Sequence, residues 1–168
     1  MSYRMKDFIS MKVYDDKGIF RGRVKDIALD YYNEKIIGFI VNPKMLSNRN
    51  YVDITDLISI DGCIIVRRIQ NKKEFSFDDI KGMEVINKFG KMLGVIEDIL
   101  VDLMNFNIKG LIVSTGFLDK IFYGKKIILI KNTILGDSEM LYCGDEKIIL
   151  TSVPHNFLKR EECYEKNL

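Results

Sequence analysis

Proline, histidine and cysteine are all scarce in this chain of 168 residues, at 2, 1 and 3. The one histidine, His155, follows Pro154 in the last segment, with no serine or cysteine fixed beside it by spacing. Neither a hydrolase triad nor a histidine-based zinc site is expected from it. Cys63, Cys143 and Cys163 are odd in number and form no CxxC pair. That argues against a disulfide scaffold and a zinc knuckle, and suits a reducing cytoplasm. Cys63 lies in an apolar strand and reads as a small core residue; the other two read as surface thiols. Apolar runs of membrane-spanning length are absent, the longest being strand-sized, such as "IIGFIV" at 36–41. The opening "MSYRMKDFIS" has no apolar signal core, so export is not expected. "GKMLG" at 90–94 lacks both the spacing and the following Lys-Ser/Thr of a phosphate-cradling loop. What remains is a soluble cytoplasmic protein with no visible catalytic residues, metal site or cofactor.

Hydrophobic residues make up 47% of the chain, enough for a core and too many for disorder. The length allows one ordinary domain or two small ones. Net charge is +2, which calls for no nucleic acid by itself. Its distribution is uneven: residues 1–75 hold 14 Lys+Arg against 10 Asp+Glu, residues 76–168 hold 12 against 14. Six of the seven arginines fall in the first part.

A repeat dominates everything else. Residues 11–42 lie on residues 83–114 without a gap, and twelve of those 32 positions are identical. They include Gly18 with Gly90, Gly22 with Gly94, Asp26 with Asp98, Asp30 with Asp102 and Gly38 with Gly110. "YVDITDLISIDG" at 51–62 then resembles "KIILIKNTILGD" at 126–137. The chain is a duplication.

Each copy reads as β-structure. "MKVYDDKG" is a short strand entering a turn, where Gly18 is free to take φ > 0. "RGRVKDIALDYY" and "KIIGFIVN" are β-branched and aromatic runs joined as a hairpin. Glycines inside these strands, Gly22 with Gly94 and Gly38 with Gly110, mark bulges or bends of a curling sheet. "NYVDITDLISI" adds an edge strand and a helical turn near Thr55–Leu57. The pattern predicts an all-β fold of two small barrels. Residues 1–70 form the first domain, 71–78 a linker, 79–151 the second domain, and 152–168 a tail. "TSVPHNFLKREECYEKNL" reads as a helix capped by Ser152, or as a loose end.

With these residues in view, "MKVYDDKGIFRGRVKDIALDYYNEKIIGFIVN" resembles the PRC-barrel domain: an opening strand, a turn glycine, G-x-V-x-D-I, an Asx turn and a hairpin return. "GMEVINKFGKMLGVIEDILVDLMNFNIKGLIVS" resembles it again, and together the likeness covers residues 8–66 and 79–150. The family takes its name from the cytoplasmic domain of the photosynthetic reaction centre H subunit. It includes the C-terminal domain of a ribosome maturation factor and many small bacterial proteins. The resemblance implies a binding and assembly module rather than an enzyme. Here both halves are PRC-like and no N-terminal membrane helix is seen, so neither the ribosome role nor the photosynthetic one transfers directly.

Among polar residues, Asp26 and Asp30, like Asp98 and Asp102, project from one strand face. A cation site would need more oxygens. The structural reading has Asp30 and Asp102 opening an Asx turn into Asn33 and Asn105, while Asp26 and Asp98 bind N–H groups at the bulge. Arg21, Arg23 and Lys25 alternate onto one side of their strand as a candidate basic patch, with "RRIQNKK" at 67–73 nearby in composition. Tyr31, Tyr32 and Tyr51 are candidate base-stacking neighbours. A lysine- and arginine-rich strand also simply resists edge pairing. The second copy replaces the three cations by Leu93, Val95 and Glu97, an apolar strip continued by Met92, Met104 and Phe106. "STGFLDKIFYG" at 114–124 places Phe117, Leu118, Ile121, Phe122 and Tyr123 in a loop, either packed between the copies or offered to a partner. The function expected is a cytoplasmic adaptor contacting another protein. The alternative is an RNA- or ribosome-associated factor using the basic first barrel.

Overall fold

Residues 2–44, 47–115, 125–145 and 150–151 are described by the computed structural model. Phe117, Leu118, Ile121, Phe122 and Tyr123 lie outside the described residues, as does the tail 152–168 with Ser152, Pro154, His155 and Cys163. The first copy runs β1 (Ser2–Arg4), a single helical turn α1 (Met5–Phe8), β2 (Lys12–Asp15), β3 (Phe20–Asp30), β4 (Lys35–Pro43), β5 (Tyr51–Asp53), a 3-10 turn (Ile54–Asp56), β6 (Leu57–Asp61) and β7 (Cys63–Val66). A 3-10 turn at Phe77–Asp79 opens the second. After it come β8 (Glu84–Asn87), β9 (Met92–Asp102), β10 (Asn107–Ser114), β11 (Lys126–Ile128), a 3-10 turn (Ile130–Asn132), β12 (Thr133–Leu135), β13 (Glu139–Tyr142) and β14 (Leu150–Thr151). The fold is all-β.

Both copies use one wiring. β3 pairs β4 and β2, and β2 pairs β7 in parallel; β9 pairs β10 and β8, and β8 pairs β13 in parallel. The repeated glycines divide into three roles. Gly18 and Gly90 close the turns after β2 and β8, at φ +74° and +77°. Their N–H groups donate to Asp15 O at 3.0 Å and to Asn87 O at 2.9 Å. Gly22 and Gly94 stand where two strands cross closely. Gly22 has φ +149°, and a Cβ there would lie 2.2 Å from the carbonyl oxygen of Asn42. Gly94 repeats this at φ +143° against Ser114. Neither the backbone nor the space admits a side chain.

Gly38 and Gly110 each sit beside a bulge, as the register shifts between Ala28 and Leu29 on β3 and between Ile108 and Gly110 on β10. The bulge is not what demands glycine there. Crossing by the next strand is: a Cβ on Gly38 would lie 2.4 Å from Val52 O of β5, and one on Gly110 would lie 2.8 Å from Ile128 O of β11. The sequence pattern locates the bend but not this second contact.

The copies join around a pseudo-two-fold axis. The N–H of Ile36 donates to Phe106 O at 2.8 Å, and that of Ile108 donates to Glu34 O at 2.7 Å. Glu34 and Phe106 both take φ +56° to turn the hairpins toward this contact. The opening segments are exchanged across it. β1 pairs with β9 of the other copy, Arg4 opposite Leu100. Ser76, within the expected linker, pairs with Ala28 of β3 at the corresponding place. One hydrophobic core spans both copies. Phe8, Phe39 and Phe77 are fully buried in it, each contributing about 1.5–3 kcal/mol.

Candidate functional site

The four repeated aspartates face inward or into turns. Asp26 accepts the N–H of Ile27 on Oδ1 at 2.8 Å and that of Asp78 on Oδ2 at 3.0 Å. Asp98 accepts Ile99 and Met5 N–H groups, both on Oδ1, at 2.9 and 3.0 Å. Each carboxylate therefore holds its own bulge and the opening segment of the other copy. Burial raises the pKa of both, against the hydrogen bonds that favour the ionised form. Asp30 accepts the Asn33 N–H at 3.1 Å and its side-chain amide at 2.8 Å. Asp102 accepts the Met104 N–H at 3.1 Å and pairs with Lys109 at 2.9 Å. Among the described residues, no three His, Cys, Asp or Glu side chains gather as metal ligands.

Arg21, Arg23 and Lys25 are all exposed and alternate with buried Gly22 and Val24, but their charged groups reach different neighbours. A bulge between the Val13–Gly22 and Tyr14–Phe20 pairs frees Arg21, whose Nε and Nη2 donate to Asp15 Oδ2 at 2.9 and 2.6 Å. Arg23 Nη1 instead donates to Ser10 O at 2.9 Å. A second bulge, between Val24 and Asp26, turns Lys25 to a cleft at the junction of the copies. Two bulges in six residues leave the alternation of exposure intact but send the three side chains to different neighbours.

Arg21 has other company. Parallel pairing of β7 with β2 sets Val66 opposite Asp15, so Arg67 and Arg68 leave β7 beside the turn that follows β2. With Lys17, Asp16 and Arg49 they line a cleft of about 330 Å³. Asp15 anchors it, its Oδ1 accepting the N–H groups of Lys17 and Ile19. Burial pushes the Asp15 carboxyl up, but the Ile19 N–H and the Arg21 guanidinium more than reverse this, and its pKa is lowered. In sequence Arg21 and Arg67–Arg68 stand apart, and Arg49 carries no signal of its own. Only the parallel register unites them. Tyr31 and Tyr51 are buried and unavailable for stacking; Tyr51 donates its hydroxyl to Ile37 O at 3.0 Å.

The second copy builds the same cleft from different residues. Asn87 stands for Asp15, its Oδ1 accepting the N–H groups of Phe89 and Lys91 in the same turn. Leu93 stands for Arg21, and Cys143 and Gly144 for Arg67 and Arg68. The cleft, of about 550 Å³, is lined by Phe89, Tyr142 and Cys143 among others. Leu93 itself turns inward, 2% exposed, so it forms no outward strip with Met92.

An outward apolar row does exist, across the strands rather than along one. Ile134 pairs with Leu141, Leu141 with Ile86, and Ile86 with Met92. Their neighbours Val85 and Met140 point into the core, so the row faces out, with Ile134 57% and Met92 51% exposed. The corresponding row of the first copy runs Ser59, Ile65, Tyr14 and Phe20, with Lys44 over the Phe20 ring. The signal for Ile86 and Leu141 in sequence is weak, a single apolar residue at the outward position of a four-residue strand.

Among the described residues no helix is long and apolar enough to cross a membrane. No curated protein matches the chain. The family model of the PRC-barrel domain matches twice, over residues 1–70 and 72–137, in register with the repeat seen in the strands. The chain belongs to the PRC-barrel family, a family of small binding and assembly modules, and carries its domain in tandem.

Proposed function

We propose that the chain is a non-catalytic cytoplasmic adaptor that contacts another protein through the outward face of its second copy. The observation that carries this reading is the row Ile134–Leu141–Ile86–Met92, four apolar side chains side by side on a solvent-facing sheet. Such a row costs solubility unless a partner covers it. Among the described residues β12, which bears Ile134, ends the strand path, so the row reaches an edge strand of the kind that a partner chain docks against. Phe117, Leu118, Ile121, Phe122 and Tyr123, between β10 and β11, are a separate candidate for partner contact on the strength of their apolar sequence alone.

The second reading, an RNA- or ribosome-associated factor, rests on the first copy's arginines. It is the weaker of the two, since the arginine cleft has no aromatic lining. Affinity capture of the tagged full-length chain from its own cells, with and without RNase, separates them. The adaptor reading requires an RNase-resistant partner that is retained by wild type and lost by Met92→Lys/Ile134→Lys. A partner set that vanishes with RNase, or one indifferent to that double variant, overturns it.

A further inference from the structure

We propose that the arginine cleft of the first copy is a binding site for a small polyvalent oxyanion of the diphosphate class. The cleft gathers Lys17, Arg21, Arg49, Arg67 and Arg68 around two carboxylates only. Asp15 occupies one edge of Arg21 and leaves its Nη1 unengaged by that pair. Arg68 meets Asp56 through Nε alone, at 3.3 Å, so both terminal nitrogens stay available. Arg49 and Arg67 have no carboxylate partner among the described residues. Like charges so grouped repel one another until an anion enters.

The fold does not require these cations. The second copy forms the same strands and turn, and a cleft with Cys143 and Gly144 at the places of Arg67 and Arg68, while Leu93, the counterpart of Arg21 in the repeat, is buried in the core. The turn survives there because Asn87 Oδ1 does what Asp15 Oδ1 does. Only the second oxygen of Asp15, which orients Arg21, lacks a counterpart in role. Arginine orientation is thus an addition to the scaffold, carried by one copy.

Size and lining select the ligand. A volume of 330 Å³ is that of a cube about 7 Å on a side. Carboxylates on one face of an extended peptide lie roughly 7 Å apart, so three of them overrun the cleft. A single carboxylate leaves most of the surplus charge unanswered. Nucleic acid would be expected to find an aromatic platform for its bases, and the lining offers none. A diphosphate concentrates several charges in that space, and its oxygens match the planar fork of a guanidinium.

The test is calorimetric titration of the full-length protein with inorganic diphosphate at low and at moderate salt. Saturable binding that weakens with salt is expected, with affinity falling ~10-fold or more in Arg49→Ala/Arg67→Ala. Arg67→Lys should recover only part of it, since an ammonium lacks the bidentate fork. Arg23→Ala/Lys25→Ala, at other places on the surface, should bind as wild type. Unchanged affinity in the Arg49/Arg67 variant, or no binding at low salt, overturns the proposal. So does a poly-aspartate peptide or a single-stranded RNA that binds through Arg49 and Arg67 while diphosphate does not. Partner capture through Met92 and Ile134 is independent of every one of these outcomes.

Discussion

Asp26 and Asp98 hold equivalent places in the two copies but engage their oxygens differently. Asp26 uses both, one for Ile27 and one for Asp78; Asp98 uses Oδ1 alone for Ile99 and Met5. An asparagine keeps one carbonyl oxygen and loses the other. Asp98→Asn should therefore retain both N–H contacts and change stability by less than about 1 kcal/mol. Asp26→Asn must turn an amide NH2 toward one N–H donor and should cost about 1–3 kcal/mol. Urea unfolding midpoints of the two variants check this; equal losses would show the oxygens are not used as described.

Burial raises the Asp98 pKa above its ordinary value of 3.8. A carboxyl with a raised folded pKa binds more protons in the native state than in the unfolded state. Its contribution to stability is therefore present below the unfolded pKa and lost as pH rises through the folded one. Melting temperatures of wild type and Asp98→Asn, compared from pH 3 to 7, should diverge in favour of the variant as pH rises. A constant difference would mean that Asp98 titrates normally.

Tyr31 and Thr133 join the copies by a buried 2.5 Å hydrogen bond, and Thr133 Oγ1 also donates to Ile130 O. Tyr31→Phe removes one bond and leaves the threonine its carbonyl, a cost of about 0.5–1.5 kcal/mol. Thr133→Val strands the buried phenol, while Ile130 O keeps the residue-133 backbone N–H, and should cost more, about 1–3 kcal/mol. Chemical denaturation of the two single variants gives the order directly.

Gly22 and Gly18 both have positive φ but differ in surroundings. A Cβ at Gly22 meets Asn42 O, whereas at Gly18 nothing lies within 4 Å. Gly18→Ala should cost only the conformational strain, about 1–2 kcal/mol. Gly22→Ala must also push two backbones apart and should exceed it clearly, by more than about 1 kcal/mol. Thermal melts that rank them the other way would refute the close crossing of β3 and β4.

The duplication, the hairpins and the in-strand glycines are legible in the sequence because each is a local pattern that recurs in register. The exchange of opening segments is not. "SYR" and "MKDF" carry no periodicity that says which copy they join, and the choice is made by Asp98 and Leu100, far along the chain. The arginine cleft is hidden for a related reason: Arg21, Arg49 and Arg67 meet only through a parallel pairing of two four-residue strands. Leu93 shows the opposite limit. Alternation groups it with Val95 as an outward pair, but the bulge between Met92 and Gly94 leaves it in the core.

The crossed opening segments carry an evolutionary implication. A chain with one copy that exchanged them in this way would be an obligate homodimer, its stability tied to its concentration. Fusion of two such genes keeps the axis and replaces a bimolecular encounter by a tethered one. It also ends the constraint that every substitution be made twice. A homodimer that gained four arginines at one end would gain them at the other as well. The fused chain can be cationic at one end and oily at the other, an asymmetric particle built on a symmetric frame.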